Sequence, residues 1–129
     1  MKIMVVDDEP SIVQMCVKVL QSQGHEVRGF SQAGEALTAL AAEAADLLVV
    51  DYKMPELSGL DFIQRAWELH PDLRVVMITA HGTREVIGKA TKTGVKSIVL
   101  KPFTPAELTQ GVAAAVGGTE VRRTDRPAQ

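Results

Sequence analysis

Three aspartates, a threonine and a lysine in this sequence are residue types that phosphoryl chemistry uses. Each follows a short apolar run: Asp7 with Asp8, Asp51, Thr79 and Lys101. An aspartate can act as a covalent nucleophile toward phosphate, and carboxylate oxygens are ligands that Mg²⁺ prefers. A metal ion and a lysine can neutralise the charge that spreads over the oxygens in transfer. These residues make Asp51 a candidate phosphoryl acceptor.

The apolar runs before these residues are typical of buried β-strands. They are too short for helices, and continuous apolar runs of this length predict strands that are buried on both faces. A weaker, partly polar run predicts a further strand at the edge of the sheet. The predicted strands are residues 3–6, 26–30, 47–51, 73–78 and 95–100.

Helical signals separate these strands. Pro10 stands at the first position of one helix, and Ser31 is placed to cap the next. Capping boxes open two more helices: Ser58 with Asp61, and Thr104 with Glu107. Strand and helix alternate about five times. The sequence therefore predicts an α/β fold, a doubly wound five-stranded parallel sheet with five helices and the flavodoxin-like order 2-1-3-4-5.

Parallel strands would bring the polar residues together at one edge of the sheet. The predicted order places strands one and three side by side, so that Asp7, Asp8 and Asp51 share a crevice. Each like-charged pair at about 4 Å costs up to about 4 kcal/mol at an effective dielectric constant of about 20. A hard divalent cation would offset this repulsion, and a few carboxylates with open water positions suit Mg²⁺. Lys101 supplies a second cation.

In chain order, these motifs resemble the receiver domain of two-component response regulators, the CheY-like superfamily. The resemblance extends over residues 1–116. It is carried by Asp7-Asp8, by Asp51 with Met54-Pro55 and Gly59, by Thr79-Ala80 and by Lys101-Pro102-Phe103.

The resemblance implies a role for each matching residue. Asp51 looks like the phosphoacceptor, Thr79 would hydrogen-bond the phosphoryl group, and Lys101 would pair with it. The Mg²⁺ ligands that it implies are Asp7, Asp8, Asp51 and the backbone carbonyl of Lys53. The residues with implied structural roles are Pro55, Gly59 and Pro102.

Three further positions are expected to modulate the site. Lys53 and His81 follow the acceptor and the threonine by two residues, where members of this family tune the loss of phosphate. His81 could equally be a solvent-facing loop residue of no special role. Ile98 departs from the family pattern, which commonly has Tyr or Phe three residues before the lysine. Since isoleucine has no ring to swing, we expect a subtler output, or one that uses other side chains.

The resemblance also implies partners and a regulatory function, without enzyme activity. The expected donor is a phosphohistidine on a sensor histidine kinase or a histidine phosphotransfer protein, and the expected target is an unidentified downstream protein. A homodimer that forms on phosphorylation is a further expectation. The helix from Thr83 has few apolar anchors and contains Gly88, so we expect it to shift with Thr79. This would alter the surface of the fourth helix, fifth strand and fifth helix. A short helix that does not move is the alternative.

Three other classes compete with this interpretation. A haloacid-dehalogenase-like phosphatase needs a second aspartate two residues after its nucleophile, where this chain has Lys53. A receiver-like binding platform that is never phosphorylated would not need the complete acidic pocket. A flavodoxin presents hydroxyl and backbone donors to phosphate after its first strand, whereas Asp7-Asp8-Glu9 would repel phosphate.

Composition restricts the remaining classes. The 129 residues suit one domain, predicted to span 1–116, with a flexible tail or linker stump at 117–129. A net charge of -2 argues against broad affinity for nucleic acid or anionic membranes. The single cysteine, Cys16, lies on an apolar helical stripe and is expected to be buried. No apolar run reaches membrane-spanning length, so we expect a cytoplasmic protein.

Overall fold

Five strands and five helices alternate along the chain, as the sequence predicted. The computed structural model describes the backbone of residues 1–125 and the side chains of residues 1–117. The strands are β1 (Lys2–Val6), β2 (Glu26–Phe30), β3 (Leu47–Asp51), β4 (Arg74–Thr79) and β5 (Ser97–Leu100). The helices are α1 (Pro10–Ser22), α2 (Ala33–Ala42), α3 (Gly59–Leu69), α4 (Arg84–Thr93) and α5 (Pro105–Asp125).

All five strands are parallel, and they lie in the order β2-β1-β3-β4-β5. This confirms the predicted flavodoxin-like order and the edge position of β2. Val6 of β1 lies opposite Val50 of β3, and Asp51 lies opposite Ile78 of β4. The direction of winding reverses between β1 and β3, so a crevice opens at the carboxyl ends of these two strands.

Along each strand, successive side chains point alternately into two apolar layers, one on each face of the sheet. Helices α1 and α5 cover one face, and α2, α3 and α4 cover the other. Because both faces are covered, the apolar residues 47–50 of β3 have no exposed surface. Cys16 is fully buried, as predicted, in the layer between the sheet and helices α1 and α5. Burial raises the pKa of its thiol to about 12. It is therefore an unreactive packing residue.

Hydroxyl groups cap the starts of α3 and α5, as the sequence predicted. Ser58 Oγ accepts a hydrogen bond from the backbone N–H of Asp61 at 3.2 Å. At α5 the box is reciprocal, because Thr104 Oγ1 accepts from the Glu107 N–H at 3.1 Å and Glu107 Oε1 accepts from the Thr104 N–H at 2.8 Å. These bonds satisfy N–H groups that have no partner within the helix.

The predicted cap at Ser31 is wrong. Helix α2 begins at Ala33, so its N-cap is Gln32, whose side chain makes no capping bond. Ser31 lies one residue too early for its hydroxyl to take the capping position.

Helix α5 is longer than the apolar stripe that predicted it. Its helical backbone continues to Asp125, through a stretch where the sequence predicted a flexible tail from residue 117. Once a helix is formed, each added residue gains a hydrogen bond for little further cost, so a helix can continue past the apolar stripe in its sequence. Residues 126–129, the rest of that predicted tail, lie outside the described residues, and a domain boundary at 116 stays a prediction. Within residues 1–125, no helix has the length and apolar character needed to cross a bilayer.

Gly59 allows the start of α3 to lie directly against the end of β3. A Cβ at this position would collide with the carbonyl oxygen of Asp51 and lie 2.8 Å from the Cα of Tyr52. We predict that Gly59→Ala lowers the free energy of unfolding by about 1–3 kcal/mol, as overpacking does elsewhere. Gly88→Ala is the matched control, since, apart from its chain neighbours and the nearby backbone of its own helix, no described heavy atom lies within 4 Å of a Cβ there. It should stabilise α4 by up to about 1 kcal/mol. Urea unfolding measures both, and equal effects would contradict this steric account.

Candidate functional site

The carboxyl edge of the sheet gathers the residues that the sequence singled out. Asp7 follows β1, Asp51 ends β3, Thr79 ends β4 and Lys101 follows β5. They converge because the strands are parallel and the chain returns to the opposite edge through a helix each time. Asp7 and Thr79 are buried, whereas Asp8 is exposed.

The ammonium group of Lys101 lies among three carboxylates. Its Nζ is 2.8 Å from Asp7 Oδ2 and 3.4 Å from Asp51 Oδ1. A third oxygen, Glu9 Oε1, lies 3.1 Å away and accepts a hydrogen bond from the same group. The Lys101 side chain is 11% exposed and that of Asp7 is 0% exposed, so this charge pair is screened little by water. Lys101 therefore neutralises part of the acidic surplus.

Backbone hydrogen bonds fix the positions of these side chains. The Asp7 N–H donates to the carbonyl of Phe30 at 3.1 Å, which joins the end of β1 to the end of β2. The Lys101 N–H donates to the carbonyl of Thr79 at 2.8 Å, which joins β5 to β4. Asp7 Oδ1 accepts a hydrogen bond from the Glu9 N–H at 2.9 Å. The site is therefore held by its backbone as well as by its charges.

Negative charge is in surplus in the site, and the pKa values of two of its carboxyl groups are raised. Burial, together with the charge of Asp7, raises the pKa of Asp51 to about 7, although Lys101 opposes the shift. Burial also raises the pKa of Asp7. Burial alone would lower the pKa of Lys101, but the hydrogen bonds and charges of its acidic neighbours raise it above its ordinary value. The site therefore favours a proton or a further cation.

The acidic residues fit a divalent cation. Ligand oxygens of Asp7, Asp8 and Asp51 lie within 4.8 Å of one another. Carboxylate oxygens are hard ligands, and Asp8 is exposed, which leaves room for water in the coordination shell. Each carboxylate that binds a cation would lose part of its repulsion from the others. This cluster could therefore hold a metal ion of the magnesium type.

A cleft of about 480 Å³ opens beside this cluster. An adjoining cavity of about 420 Å³ lies between the β3–α3 loop and the start of α4, and Lys53, Met54 and His81 line both. The cleft is lined by Asp8, Glu9, Asp51, Lys53, Met54, Pro55, Ala80, His81 and Lys101. It therefore gives a ligand of modest size access to Asp51 from solvent.

The remaining predicted residues lie around this cleft or behind it. The Thr79 hydroxyl accepts a hydrogen bond from the His81 N–H at 2.8 Å, so it is tied to the loop that precedes α4. The peptide bond between Lys101 and Pro102 is cis. Ile98 lies on β5, partly buried against the layer formed by α2, α3 and α4. Ile98 does not line the cleft, whereas His81 and Pro55 do.

Glu9 belongs to the site, although the sequence motifs predicted neither metal binding nor an ion pair for it. Its carboxylate reaches Lys101, which is 92 positions away in the chain. The available signal was the third consecutive acidic residue in Asp7-Asp8-Glu9. Charge alone could not distinguish a residue that turns toward Lys101 from one that faces water.

The fold and the site together define a doubly wound α/β protein with an acidic, lysine-paired site at its topological switch point. Residues 3–113 match the family model of the response regulator receiver domain. The chain therefore belongs to the response regulator receiver domain family of two-component signalling, a regulatory family, as the motifs predicted.

Individual relatives agree with this assignment. The chain is 35% identical over 115 residues to the response regulator protein PilR of Pseudomonas aeruginosa, a match that covers 89% of this chain and 26% of PilR. It is 27% identical to the chemotaxis protein CheY of Thermotoga maritima, over 86% of this chain and 93% of CheY. A CheY-like receiver domain protein from Methanospirillum hungatei superposes with a TM-score of 0.85 at 26% identity, covering 94% of this chain and 97% of that one. PilR is thus several times longer than the matched region.

The Asp51 pKa predicts how stability depends on pH in the absence of metal ions. This pKa is raised from 3.8 to about 7 in the folded state, so the folded protein binds the proton more tightly than the unfolded chain. The resulting stability is fully present below pH 3.8 and is lost as the pH rises through about 7. Asp51→Asn lacks this titration. Above pH 7 it should exceed the parent in free energy of unfolding, by up to about 4 kcal/mol at about 1.4 kcal/mol per pKa unit. Urea unfolding in EDTA at about pH 5 and about pH 8 measures the difference, and identical pH dependence in both proteins would contradict it.

Proposed function

We propose that this receiver domain accepts a phosphoryl group on Asp51 from a phosphohistidine of a sensor histidine kinase or histidine phosphotransfer protein. The observation that carries the proposal is the position of the Lys101 ammonium, 3.4 Å from Asp51 Oδ1 and 2.8 Å from Asp7 Oδ2. A carboxylate nucleophile, a fixed cation and an acidic cluster thus meet in one solvent-accessible cleft. Phosphoryl transfer depends mainly on such positioning and on charge neutralisation.

The residues of the chain would divide the reaction among them. An Asp51 oxygen forms the new bond to phosphorus as the phosphorus–nitrogen bond of the phosphohistidine breaks, and the electron pair leaves with the imidazole. Lys101 pairs with the oxygens of the transferred group, and the Thr79 hydroxyl hydrogen-bonds one of them. Mg²⁺, when bound, neutralises charge on these oxygens. The ligands that we propose for it are Asp7, Asp8, Asp51 and the backbone carbonyl of Lys53.

We propose further that the cleft residues Lys53 and His81 modulate how long the phosphoryl group persists. Both line the cleft next to Asp51. Both side chains are exposed, so they can meet an incoming water molecule or partner without first leaving a packed environment. Pro55, Gly59 and Pro102 would act by shaping the surrounding loops.

The signal would leave the site through Thr79 and α4. In the unphosphorylated protein Thr79 Oγ1 accepts the His81 N–H, so a hydroxyl that turned to the phosphoryl group would move this loop. Helix α4 resists such a shift weakly, because Ala90 is its only buried residue. Ile87 on α4 and Leu100 at the end of β5 expose 37% and 49% of their surface. We propose the α4–β5–α5 face as the surface that meets a downstream protein or a second phosphorylated copy.

Two alternatives receive less support. A haloacid-dehalogenase-like phosphatase would need an acidic residue at Lys53, and this lysine lines the cleft instead. A platform that is never phosphorylated would gain nothing from repelling carboxylates, which lower stability in the absence of a cation. We therefore propose a regulatory phosphoacceptor, without direct binding to nucleic acid or membrane, that acts in the cytoplasm and is not an enzyme.

Intact mass measurement tests the proposal directly. After incubation with Mg²⁺ and acetyl phosphate, the parent should gain the mass of one phosphoryl group, and Asp51→Asn should not. Asp46→Asn is the matched control, because Asp46 immediately precedes the same strand at its opposite end. It should be labelled like the parent. Equal labelling of Asp51→Asn would refute the acceptor assignment, and steady hydrolysis of a phosphate ester by the parent would favour the phosphatase.

Amide exchange tests the proposed path of the signal. Phosphorylation should change the exchange of amides in the 80–93 segment more than those in β3, because α4 is the weakly packed element. Thr79→Ala should still be phosphorylated but should lose most of this change. Exchange that is unaltered in α4 of the phosphorylated parent would instead support a helix that does not move.

A further inference from the structure

Glu9 is tied to the site at both its backbone and its side chain. Its N–H donates to Asp7 Oδ1 at 2.9 Å, and its carbonyl accepts from the Ile12 and Val13 N–H groups at the start of α1. Its carboxylate does not cap α1. The side chain instead extends across the cleft, where Oε1 accepts from Lys101 Nζ at 3.1 Å. These bonds fix the backbone of Glu9, whose side chain lines the cleft that leads to Asp51.

The three acidic partners of Lys101 differ in how strongly they are held. Asp7 is fully buried and Asp51 is 7% exposed, whereas the Glu9 side chain is 59% exposed. An exposed ion pair is weak and is easily exchanged for water. Glu9 is therefore the partner that Lys101 can release at least cost when a phosphoryl oxygen arrives. Until then, it places a negative charge beside the path that a phosphodonor takes.

We propose that Glu9 is a specificity-determining residue that makes the site select phosphodonors of low negative charge, and that it also positions Lys101 between transfers. This inference rests on the proposed function of Asp51. A dianionic acyl phosphate approaching the cleft meets the Glu9 carboxylate and must compete with it for Lys101. A phosphoramidate, which carries a protonated nitrogen and less net negative charge, meets less repulsion. Of two small donors, the site should therefore prefer the one with the lower net negative charge.

The two donors undergo the same transfer at Asp51 and differ in charge and leaving group. With acetyl phosphate, a bond forms between an Asp51 oxygen and phosphorus as the phosphorus–oxygen bond to acetate breaks, and acetate leaves with the electron pair. With phosphoramidate, the phosphorus–nitrogen bond breaks, and ammonia leaves with the electron pair and its protons. Neither reaction involves oxidation or reduction. The change in the ratio of the two rates between variants therefore measures how strongly the charge of the donor affects transfer.

The test compares initial rates of phosphoryl uptake from acetyl phosphate and from phosphoramidate by intact mass. In Glu9→Gln the rate with acetyl phosphate should rise by roughly three- to tenfold at low salt, with a smaller change for phosphoramidate. The difference between the proteins should shrink as added salt shortens the screening length. Glu9→Asp keeps the charge and should restore most of the parental ratio. Glu68→Gln removes the same charge from an exposed position near the end of α3, at the other edge of the sheet, and should match the parent.

The outcomes separate this inference from the proposed function. If the parent takes up no phosphoryl group from either donor, the acceptor assignment fails. If the parent is labelled but Glu9→Gln has the parental donor ratio at every salt concentration, the inference about Glu9 is overturned. Equal rate changes with both donors, independent of salt, would also overturn it, because they would indicate a structural effect. In the metal-free protein, NMR of the Lys101 ammonium should show faster proton exchange in Glu9→Gln, whereas an unchanged rate would refute the positioning role.

Discussion

The rest of this site depends on the ion pairs that the ammonium group of Lys101 makes with the buried carboxylates. The parallel sheet delivers Asp7 and Asp51 to the same crevice whether or not their charges are compensated. Lys101 Nζ lies within 3.4 Å of both and offsets part of their repulsion. The compensation is incomplete, since burial and Asp7 still raise the pKa of Asp51 to about 7. Because negative charge remains in surplus, the site favours whatever supplies positive charge, a proton or a further cation.

The sheet and the helices contribute unequally to such a response. Strand β3, which carries Asp51, is buried throughout and paired on both sides, so its end can move little. Helix α4 buries only Ala90 and is joined to Thr79 through a short exposed loop. On the proposed signalling path, a change of charge at Asp51 would therefore displace α4 and its loop rather than β3, because α4 is the more weakly packed element.

The sequence could predict most of this architecture because its strongest signals are local. Apolar runs predicted strands β1, β3, β4 and β5, and the polar residues at the ends of these runs predicted the site, because the carboxyl ends of parallel strands meet at one edge of the sheet. The capping box at Thr104 was found for the same reason, since it needs only residues three apart.

The position of the Glu9 side chain could not be predicted, because its partner Lys101 is distant in sequence and the direction of the side chain depends on its rotamer. The prediction that Ser31 caps α2 was wrong because the start of a helix can shift by one residue without changing the apolar pattern. The extension of α5 past residue 117 was not predicted because the sequence from 117 onward has no apolar period.

The absence of an aromatic ring at Ile98 does not disconnect β5 from Thr79. Ile98 packs against the layer formed by α2, α3 and α4. Leu100, two residues further along β5, lies on the same face of the sheet but is 49% exposed, and it lies beside Gly82 in the loop that follows Thr79. A Cβ on Gly82 would lie 2.7 Å from Leu100 Cδ2, so the two residues are already in close contact. The Lys101 N–H also donates to the Thr79 carbonyl at 2.8 Å. If this loop moves on phosphorylation, as we propose, it would carry Leu100 with it or lose contact with Leu100, and either result would alter the exposed surface of β5 without a rotating ring.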